Sequence, residues 1–389
     1  MEKAVLVKAL RTPVGKMKGT LSGFQAEDLA AIVVNEVVKD DRLDPAEIDG
    51  ILFSNLFNYN IAGLARAVGL HSGIPYTVPG VTIEQQCASS LTGLAFSTML
   101  INTGNADVLL VGGVESYSKQ PFLIARPEVG FPESLQFIPY GIEYKGYGLT
   151  PMLQTAENVA KKYGISRKEC DEFALRSHQL AAEAYRLRRF KDQIVPIDVP
   201  QKKGEALHFE VDECIRFDSS IESLSRLKPV WGSDGVCTAG NSSPRNDGAS
   251  VMLVMSESRA KALGYESLCE VKAFCSVGVH PDYMGTGPIY ATRKLLYREN
   301  LSVEDIDLFE INEAFAAQSI PCMRELGIDI EKLNVNGGAI AIGHPNAASG
   351  GILVARMAYE MKRRGAHRGL ISFCVGGGQG VSLLLERNT

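Results

Sequence analysis

The sequence lacks the features that mark membrane, secreted and nucleic-acid-binding proteins. None of its 389 residues belong to an apolar run approaching the roughly 18 residues of a membrane-spanning helix. The opening MEKAVLVKAL does not have the architecture of a signal peptide. A net charge of −5 gives no general basic surface. We therefore expect a cytoplasmic protein that has neither membrane nor nucleic acid among its partners.

The cysteines also exclude some classes of protein. There are eight, but no C-x-x-C pair, and their spacing with the six histidines matches no metal-site pattern. Reduced thiols and no bound metal are the simplest expectation. What is present is an ordinary globular composition, 45% hydrophobic and 22% charged, in a chain long enough for two or three domains at roughly 150 residues each.

Cys87 lies between a predicted strand and a predicted helix. The β-branched run 78–83 precedes it, and apolar residues recur at helical spacing over 88–99. A thiol at a helix N-terminus faces free backbone N–H groups and the positive end of the helix dipole, which predicts a lowered pKa and a nucleophile. The alternative is a cysteine that only packs, as isolated cysteines commonly do.

Three more candidate side chains lie at predicted strand ends. Asn312 stands where a strand gives way to a helix, and His344 follows a glycine-rich turn ahead of another helix. A strand over 369–373 ends at Cys374 before three glycines. Open α/β sheets collect their chemistry at such ends, so we expect these side chains to meet Cys87 in one cleft.

The chain contains an internal repeat, which predicts two βαβ-rich halves that face one another. Short segments match without gaps at a displacement of 258 positions, and Cys87 precedes His344 by 257. The matched pairs are Leu43 with Leu301, Ile48 with Ile306, Asp49 with Asp307 and Ser54 with Asn312.

An insertion separates the halves over 119–245. It is irregular and aromatic at first, contains two predicted helical segments, and becomes loop-like near VPQKKGEALHFEVDECIRF. This composition indicates a lid or binding subdomain with local basic character, although solvated surface charge is an equally simple interpretation. The aromatic residues of its first part are Phe122, Phe131, Phe137, Tyr140, Tyr144 and Tyr147.

QQCASSL, NEAFA, GGAIAIGHP and CVGGGQG, in this order and at these separations, resemble the signature segments of the thiolases, the acyl-CoA C-acyltransferases. The resemblance extends from RTPVGK to the final strand. It implies an α/β fold of duplicated halves in a five-layered αβαβα arrangement with an inserted loop domain. The corresponding domains are 1–118 with 246–267, the loop domain 119–245, and 268–389.

The resemblance implies a reversible Claisen condensation and thiolysis of CoA thioesters. Cys87 attacks a thioester carbonyl while His344 accepts its proton, and the backbone N–H groups of Cys87 and Gly376 hold the oxyanion. Cys374 then removes the α-proton of acetyl-CoA, and His344 with a water on Asn312 stabilises the enolate. Plainer interpretations remain: His344 as a turn residue, Asn312 as a helix cap and Gly376 as part of an ordinary glycine run.

Four further residues are assigned to substrate binding by the same resemblance. Arg216 matches the adenine-side arginine, and Ser243 matches the serine that contacts pantetheine. Met284 and Phe315 line the acyl pocket. No metal and no bound cofactor are implied, because acyl-CoA and CoA are substrates. A homodimer or homotetramer is expected from the apolar strand DVLLVGGVES and from the pairing of first halves in the family.

The chain departs from the family pattern at three places. The segment 151–153 reads Pro-Met-Leu where short-chain members have His-Met-Gly, Ser90 replaces glycine, and Asn346-Ala347 replaces an apolar-glycine pair. These changes leave acyl chain length open, together with the direction of the reaction. They also leave two alternatives: a 3-ketoacyl synthase-like Claisen enzyme, which CVGGGQG and NEAFA disfavour, and a non-catalytic CoA-binding protein.

Overall fold

The computed structural model describes residues 2–126, 130, 137–138 and 143–387. The strands are β1 (Ala4–Arg11), β2 (Gly15–Lys16), β3 (Gly50–Ser54), β4 (Gly80–Ile83), β5 (Val108–Ser116), β6 (Glu143–Tyr144), β7 (Gly148–Leu149), β8 (Ile197–Val199), β9 (Leu207–Phe209), β10 (Asn246–Ser256), β11 (Cys269–Gly278), β12 (Leu308–Ile311), β13 (Arg368–Val375) and β14 (Gln379–Glu386). The helices are α1 (Ala26–Val38), α2 (Leu64–His71), α3 (Ser89–Asn102), α4 (Met152–Tyr163), α5 (Arg167–Arg186), α6 (Ile221–Ser225), α7 (Glu257–Ala262), α8 (Gly287–Glu299), α9 (Ala316–Leu326), α10 (Ala339–Ile342) and α11 (Ser349–Arg364).

The two halves of the chain form sheets of matching order. The first runs β4-β3-β5-β10-β1 and the second runs β12-β13-β14-β11. The parallel pairs are β3 with β4, β3 with β5 and β12 with β13, and the other pairs of the two sheets are antiparallel. The halves join where β1 pairs with β11 through two residues on each strand.

The sheets and helices form layers, and three hydrophobic clusters lie between these layers. Helices α1 and α2 pack on one face of the first sheet, and α8 and α9 pack on one face of the second. Helices α3 and α11 lie together between the sheets, with Leu91 and Leu353 in the same cluster. The sequence of β5 is almost wholly apolar because both faces of the strand are buried. Leu110 packs in the outer cluster, and Leu109 and Val111 pack in the central one. The five-layered αβαβα arrangement is confirmed.

The internal repeat is visible as a repeated hydrogen-bond pattern. The Asp49 carboxylate accepts hydrogen bonds from the backbone N–H groups of Asp107 and Val108, at the start of β5. The Asp307 carboxylate does the same with His367 and Arg368, at the start of β13. Each aspartate therefore ties the entry of one strand to the entry of its parallel neighbour.

The repeat aligns the helices differently from the sequence-based match of Cys87 with His344. Helix α3 begins at Ser89 and α11 begins at Ser349, and each follows a 3-10 turn, Gln86–Ala88 or Asn346–Ala348. The structural counterpart of Cys87 is therefore Ala347. The match at 257 positions was wrong by three residues, because the spacing changes between the strand and the helix.

The inserted segment is attached to the first half by a buried ion pair. The Arg11 guanidinium makes a bidentate contact with the Asp212 carboxylate at 2.8 and 3.0 Å, and neither side chain is exposed. The segment that looked loop-like contains β9, which pairs antiparallel with β8 at its start. Of its aromatic residues, Phe131 and Tyr140 lie outside the described residues. The division into domains at 118, 245 and 267 stays a prediction.

Candidate active site

One cavity of about 460 Å³ brings the predicted reactive side chains together. It is lined by Cys87 of the first half and by His344 and Cys374 of the second. Of the four side chains expected in one cleft, Cys87, His344 and Cys374 line this cavity, whereas Asn312 does not. Other predicted site residues in the lining are Gly376, Ser243, Met284 and Phe315.

Cys87 lies in the 3-10 turn between β4 and α3. The residue before it, Gln86, has a φ of 50°, a left-handed conformation that few non-glycine residues adopt. This sharp turn presents the thiol to the cavity. Cys87 is half-buried, whereas the other seven cysteines are buried, and none of the eight forms a disulfide. Cys87 packs against the central hydrophobic cluster and also lines the cavity, and its role as a nucleophile stays a prediction.

The predicted lowering of the Cys87 pKa is wrong. Burial raises the pKa of the thiol to about 11, and hydrogen bonds from the Asn346 side chain and from the Gly376 backbone N–H oppose that rise. Desolvation is the largest effect on the thiol and outweighs these donors. The thiol is therefore neutral before substrate enters, and reaction requires a base within the site.

His344 is held in a defined orientation. Its backbone N–H donates to Asn246 Oδ1 at 2.9 Å, and its Nδ1 lies 2.6 Å from Ser349 Oγ. The Ser349 hydroxyl donates to the Pro345 carbonyl, so its oxygen is left to accept a hydrogen from Nδ1. The imidazole therefore carries its proton on Nδ1 and leaves Nε2 as an acceptor.

The His344 imidazole is neutral over the ordinary pH range. Burial lowers its pKa to about 4. Asn312 Nδ2 lies 3.4 Å from His344 Nε2, which is at the long end of a hydrogen bond and matches an acceptor on that nitrogen. A neutral imidazole with an unprotonated Nε2 can accept a proton from a neighbouring thiol.

Asn312 does not cap the following helix. Helix α9 begins at Ala316 after Phe315, three residues further on, so the plainer interpretation of Asn312 is wrong. The neighbouring Glu313 is a buried structural acceptor: its carboxylate receives hydrogen bonds from Ser177 Oγ and Asn334 Nδ2. Asn312 itself lies behind His344 and outside the main cavity lining.

Cys374 lies near the end of β13 and is buried. Burial, with the nearby thiols of Cys87 and Cys322, raises its pKa well above the usual value. The glycines that follow have a steric reason: Gly378 has a φ of 84°, and a Cβ there would meet the Val279 carbonyl at 2.3 Å. The loop can therefore turn back and direct the Gly376 N–H at the Cys87 sulfur.

The substrate-binding predictions separate into two groups. Ser243 lines the cavity, held by a hydrogen bond from its Oγ to the Ala314 carbonyl, and Met284 and Phe315 contribute apolar wall. Pro151 also lines it, at the first position that departs from the family pattern. Arg216 is exposed and is not part of the lining. Its adenine-side role stays a prediction.

The geometry suits acyl transfer through a thiol. A neutral cysteine, a neutral histidine with a free nitrogen, a second cysteine and a backbone N–H directed at the first sulfur share one cavity. In the part of the chain that the structure describes, no group of three or more histidine, cysteine or acidic side chains could hold a metal ion. Over the same residues, no helix is long and apolar enough to cross a bilayer.

Two protein-family models match the chain along nearly its whole length. The model described as "Thiolase, N-terminal domain" covers residues 4–258, and the model described as "Thiolase, C-terminal domain" covers residues 265–387. The chain belongs to the thiolase family. The resemblance inferred from the motifs around Cys87 and His344 is therefore confirmed.

Relatives of this thiolase are similar over their full length. The chain is 41% identical to an acetyl-CoA acetyltransferase of Pseudomonas aeruginosa, over all of both chains. It is 40% identical to a probable acetyl-CoA acyltransferase of Staphylococcus aureus, again over all of both. Among solved structures, the Bacillus anthracis acetyl-CoA acetyltransferase matches with a TM-score of 0.94 at 38% identity, covering 99% of each chain. Human mitochondrial 3-ketoacyl-CoA thiolase in complex with CoA matches with a TM-score of 0.93 at 35% identity, covering 100% of this chain and 98% of that one.

This thiolase is an acyl-CoA C-acyltransferase. Neither a 3-ketoacyl synthase-like enzyme nor a non-catalytic CoA-binding protein is favoured.

Two residues that shape the site were not predicted as site residues from the sequence. Glu115, at the end of β5, is buried and accepts hydrogen bonds from the backbone N–H groups of Phe57 and Ala347. Its signal was a carboxylate at the end of an otherwise apolar strand. Asn346 stood out in the sequence only as a departure from the family pattern.

Proposed function

We propose that this thiolase works through an acyl-cysteine on Cys87, with His344 and Cys374 as its proton acceptors. The observation that carries the proposal is that Cys87, His344 and Cys374 line one cavity although they come from both halves of the chain. The substrates are acyl-CoA, acetyl-CoA and CoA, and no resident metal or redox cofactor is part of the proposal.

In the first half-reaction, Cys87 Sγ attacks the thioester carbonyl and its proton passes to His344 Nε2. The oxyanion is held by the backbone N–H groups of Gly376 and Cys87. When the carbon–sulfur bond to CoA breaks, the departing thiolate takes the proton from His344. One thioester replaces another, so the step is readily reversible.

In the second half-reaction, the Cys374 thiol passes its proton to the neutral His344, and the resulting thiolate removes a proton from the α-carbon of acetyl-CoA. His344 stabilises the enolate oxygen with a water held by Asn312. The carbanion attacks the acyl-cysteine carbonyl, the new carbon–carbon bond forms, and Cys87 leaves as a thiolate. Thiolysis is the same sequence run backwards.

Mapping the acyl group tests this proposal directly. The protein is incubated with carbon-labelled acetyl-CoA, quenched in acid and digested, and the peptides are identified by mass spectrometry. We expect the label on the peptide that contains Cys87, with release of an equal amount of CoA. No labelled peptide, or label on another cysteine, would refute the proposed nucleophile.

The substrate range is proposed to extend beyond four carbons. Pro151 contributes no polar side chain to the cavity wall, and Met284 and Phe315 add apolar surface. A steady-state thiolysis panel of 3-ketoacyl-CoA substrates of increasing length measures the preference. Activity that falls steadily from four carbons, with none detectable at eight, would refute this extension.

The protein is further proposed to be a cytoplasmic homodimer or homotetramer of fatty-acid metabolism. The apolar strand β5, which first suggested pairing, is buried inside the sheet, so it is not itself an interface. Support comes instead from the sheet edge at β4 and from α3, where Val81, Phe96 and Met99 are exposed. Light scattering that gives the mass of one 42.1 kDa chain would contradict an oligomer.

A further inference from the structure

Asn346 places a hydrogen-bond donor on the sulfur of the proposed nucleophile. Its Nδ2 lies 3.1 Å from Cys87 Sγ, and both residues line the cavity. An amide N–H can only donate, and a sulfur becomes a much better acceptor when it is ionised. We propose that Asn346 is a further catalytic residue, which stabilises the Cys87 thiolate both as attacking group and as leaving group. This inference rests on Cys87 being the nucleophile.

The contact joins the two halves of the molecule. Cys87 stands in the turn before α3, and Asn346 opens the structurally equivalent turn before α11. Neither half by itself contains both atoms of this hydrogen bond. The repeat therefore places the nucleophile from the turn of one half against an amide from the equivalent turn of the other half.

The turn that carries Asn346 is fixed from several sides. The Ala347 backbone N–H donates to the buried Glu115 carboxylate at 3.3 Å, and Ser250 Oγ donates to the Ala348 carbonyl at 2.7 Å. The turn also lies directly on β5, because a Cβ on Gly113 would meet the Ala347 carbonyl oxygen at 2.1 Å. A backbone held in this way loses little further freedom when the side chain binds the sulfur.

A donor matters here because the sulfur is poorly solvated. Burial raises the Cys87 pKa, and the Asn346 amide is the largest of the effects that oppose the rise. The apolar side chain found at this position in the family pattern could not donate. Leucine there would leave the Gly376 N–H as the main donor to the thiolate.

The benefit applies to both half-reactions. During acylation the Cys87 proton moves to His344 and the negative charge on sulfur is shared with the Asn346 N–H. In the acyl-enzyme the sulfur is a neutral thioester and a weak acceptor. When the acyl group leaves, the thiolate forms again and the hydrogen bond is restored. An interaction that strengthens as charge develops accelerates the chemical step.

Alkylation of Cys87 measures this effect apart from turnover. Iodoacetamide reacts with thiolate, and Cys87 alone among the eight cysteines is not buried, so the labelling can be followed on one peptide. At fixed pH values between 8 and 10, we expect Asn346→Leu to be alkylated about tenfold more slowly than wild type, which corresponds to a thiol pKa higher by about one unit. The rate constant for acylation by acetyl-CoA should fall by a similar factor.

Three further variants make the test specific. Asn346→Asp retains oxygen acceptors but has no N–H, so it should react more slowly still. Asn346→Gln retains the donor and should recover part of the rate. Asn105→Leu makes the same chemical change at an exposed amide outside the cavity and should match wild type.

The possible outcomes separate the roles. Equal alkylation rates for wild type and Asn346→Leu, or a fast Asn346→Asp, would overturn the inference. Lower turnover with an unchanged alkylation rate would assign Asn346 to packing and overturn it equally. If Asn346→Leu does not fold, Asn346→Ala supplies the same comparison. If complete alkylation of Cys87 left activity intact, the proposed nucleophile itself would fail, which is a different result.

Discussion

The two halves of this thiolase share their scaffold contacts and differ in the side chains that end the strands. Asp49 and Asp307 bind the entries of equivalent strands in the same way. The turns before the central helices, however, carry Cys87 in one half and Asn346 in the other. The two halves can share these backbone contacts and still carry different reactive side chains, because the aspartate contacts lie away from the cavity and do not depend on its lining.

The division explains why the site needs both halves. The first half supplies a thiol, and the second supplies His344, Cys374, Asn346 and the Gly376 N–H. Burial acts on the two kinds of titratable group in opposite directions, raising the pKa of Cys87 and lowering that of His344. Both groups are therefore neutral when they meet, and the proton moves between the halves only during reaction.

The largest expected effect separates the cysteines of the two halves. Cys87→Ala should form no acyl-enzyme, because the nucleophile is absent. Cys374→Ser should still accept acetyl from labelled acetyl-CoA and then stall, because a hydroxyl is a far poorer base than a thiolate. Condensation should fall about 10⁴-fold or more in both, measured by steady-state assay and by the mass of the trapped peptide.

A buried cysteine outside the cavity provides the control for that pair. Cys269→Ala, in β11, should retain condensation activity, because Cys269 does not line the cavity. Acetyl label on Cys374 in the wild-type protein, or normal condensation by Cys374→Ser, would reverse the assigned roles and leave the fold untouched.

Replacing Asn312 by serine makes the end of β12 resemble the end of β3, where Ser54 is the counterpart. We expect condensation to fall about 10²-fold, since His344 Nε2 loses the amide at 3.4 Å. Steady-state kinetics at saturating acetyl-CoA measure the change. Ser54→Ala is the matched control, because Ser54 Oγ is buried and finds no hydrogen-bond partner among the described residues. Equal losses in both variants would indicate packing instead of catalysis.

The pH dependence of acylation tests the state of His344. Its pKa is lowered to about 4, so the imidazole stays a base until the pH approaches that value. We expect the acylation rate, measured by rapid quench, to be nearly constant from pH 8 to pH 5 and then to fall by up to tenfold per unit. A decline centred near pH 6.5, the ordinary value for histidine, would show that the imidazole is solvated.

The lowered pKa of His344 also makes the free energy of unfolding depend on pH. A histidine that is kept neutral by the fold binds fewer protons than the unfolded chain between pH 6.5 and about 4. Its contribution to folding is therefore present above pH 6.5 and is lost as the pH falls through that window. Circular dichroism at each pH separates such unfolding from the loss of the base.

The smallest expected effect concerns the shared scaffold. Asp49→Ala and Asp307→Ala each remove the acceptor of two largely exposed backbone N–H groups, and each should lower the free energy of unfolding by about 0.5–1.5 kcal/mol. The sites lie in different halves, so the double variant should show the sum. Urea unfolding followed by circular dichroism measures the change. A neutral effect in one half alone would mean that the two contacts are not equivalent.

The sequence alone was sufficient for the family, the αβαβα fold and the approximate ends of many elements. Periodicity placed α3 and β13 to within a few residues, because helices and buried strands leave regular patterns of apolar residues. The glycine runs and the short motifs around Cys87, His344 and Cys374 identified the reactive side chains, since tight turns require particular residues and leave a readable signature.

The pKa values and hydrogen-bond partners of those side chains depend on the tertiary structure. The helix dipole suggested a lowered pKa for Cys87, but burial is a property of everything packed around the sulfur, and it reversed the sign. Asn346 lies 259 positions from Cys87, so nothing local could reveal its contact. The hydrogen-bond partners of the Glu115 carboxylate could not be read from the sequence either, because they come from both halves of the chain. Local patterns determine where a turn or strand forms, whereas solvation and hydrogen bonding depend on which distant residues the fold brings together.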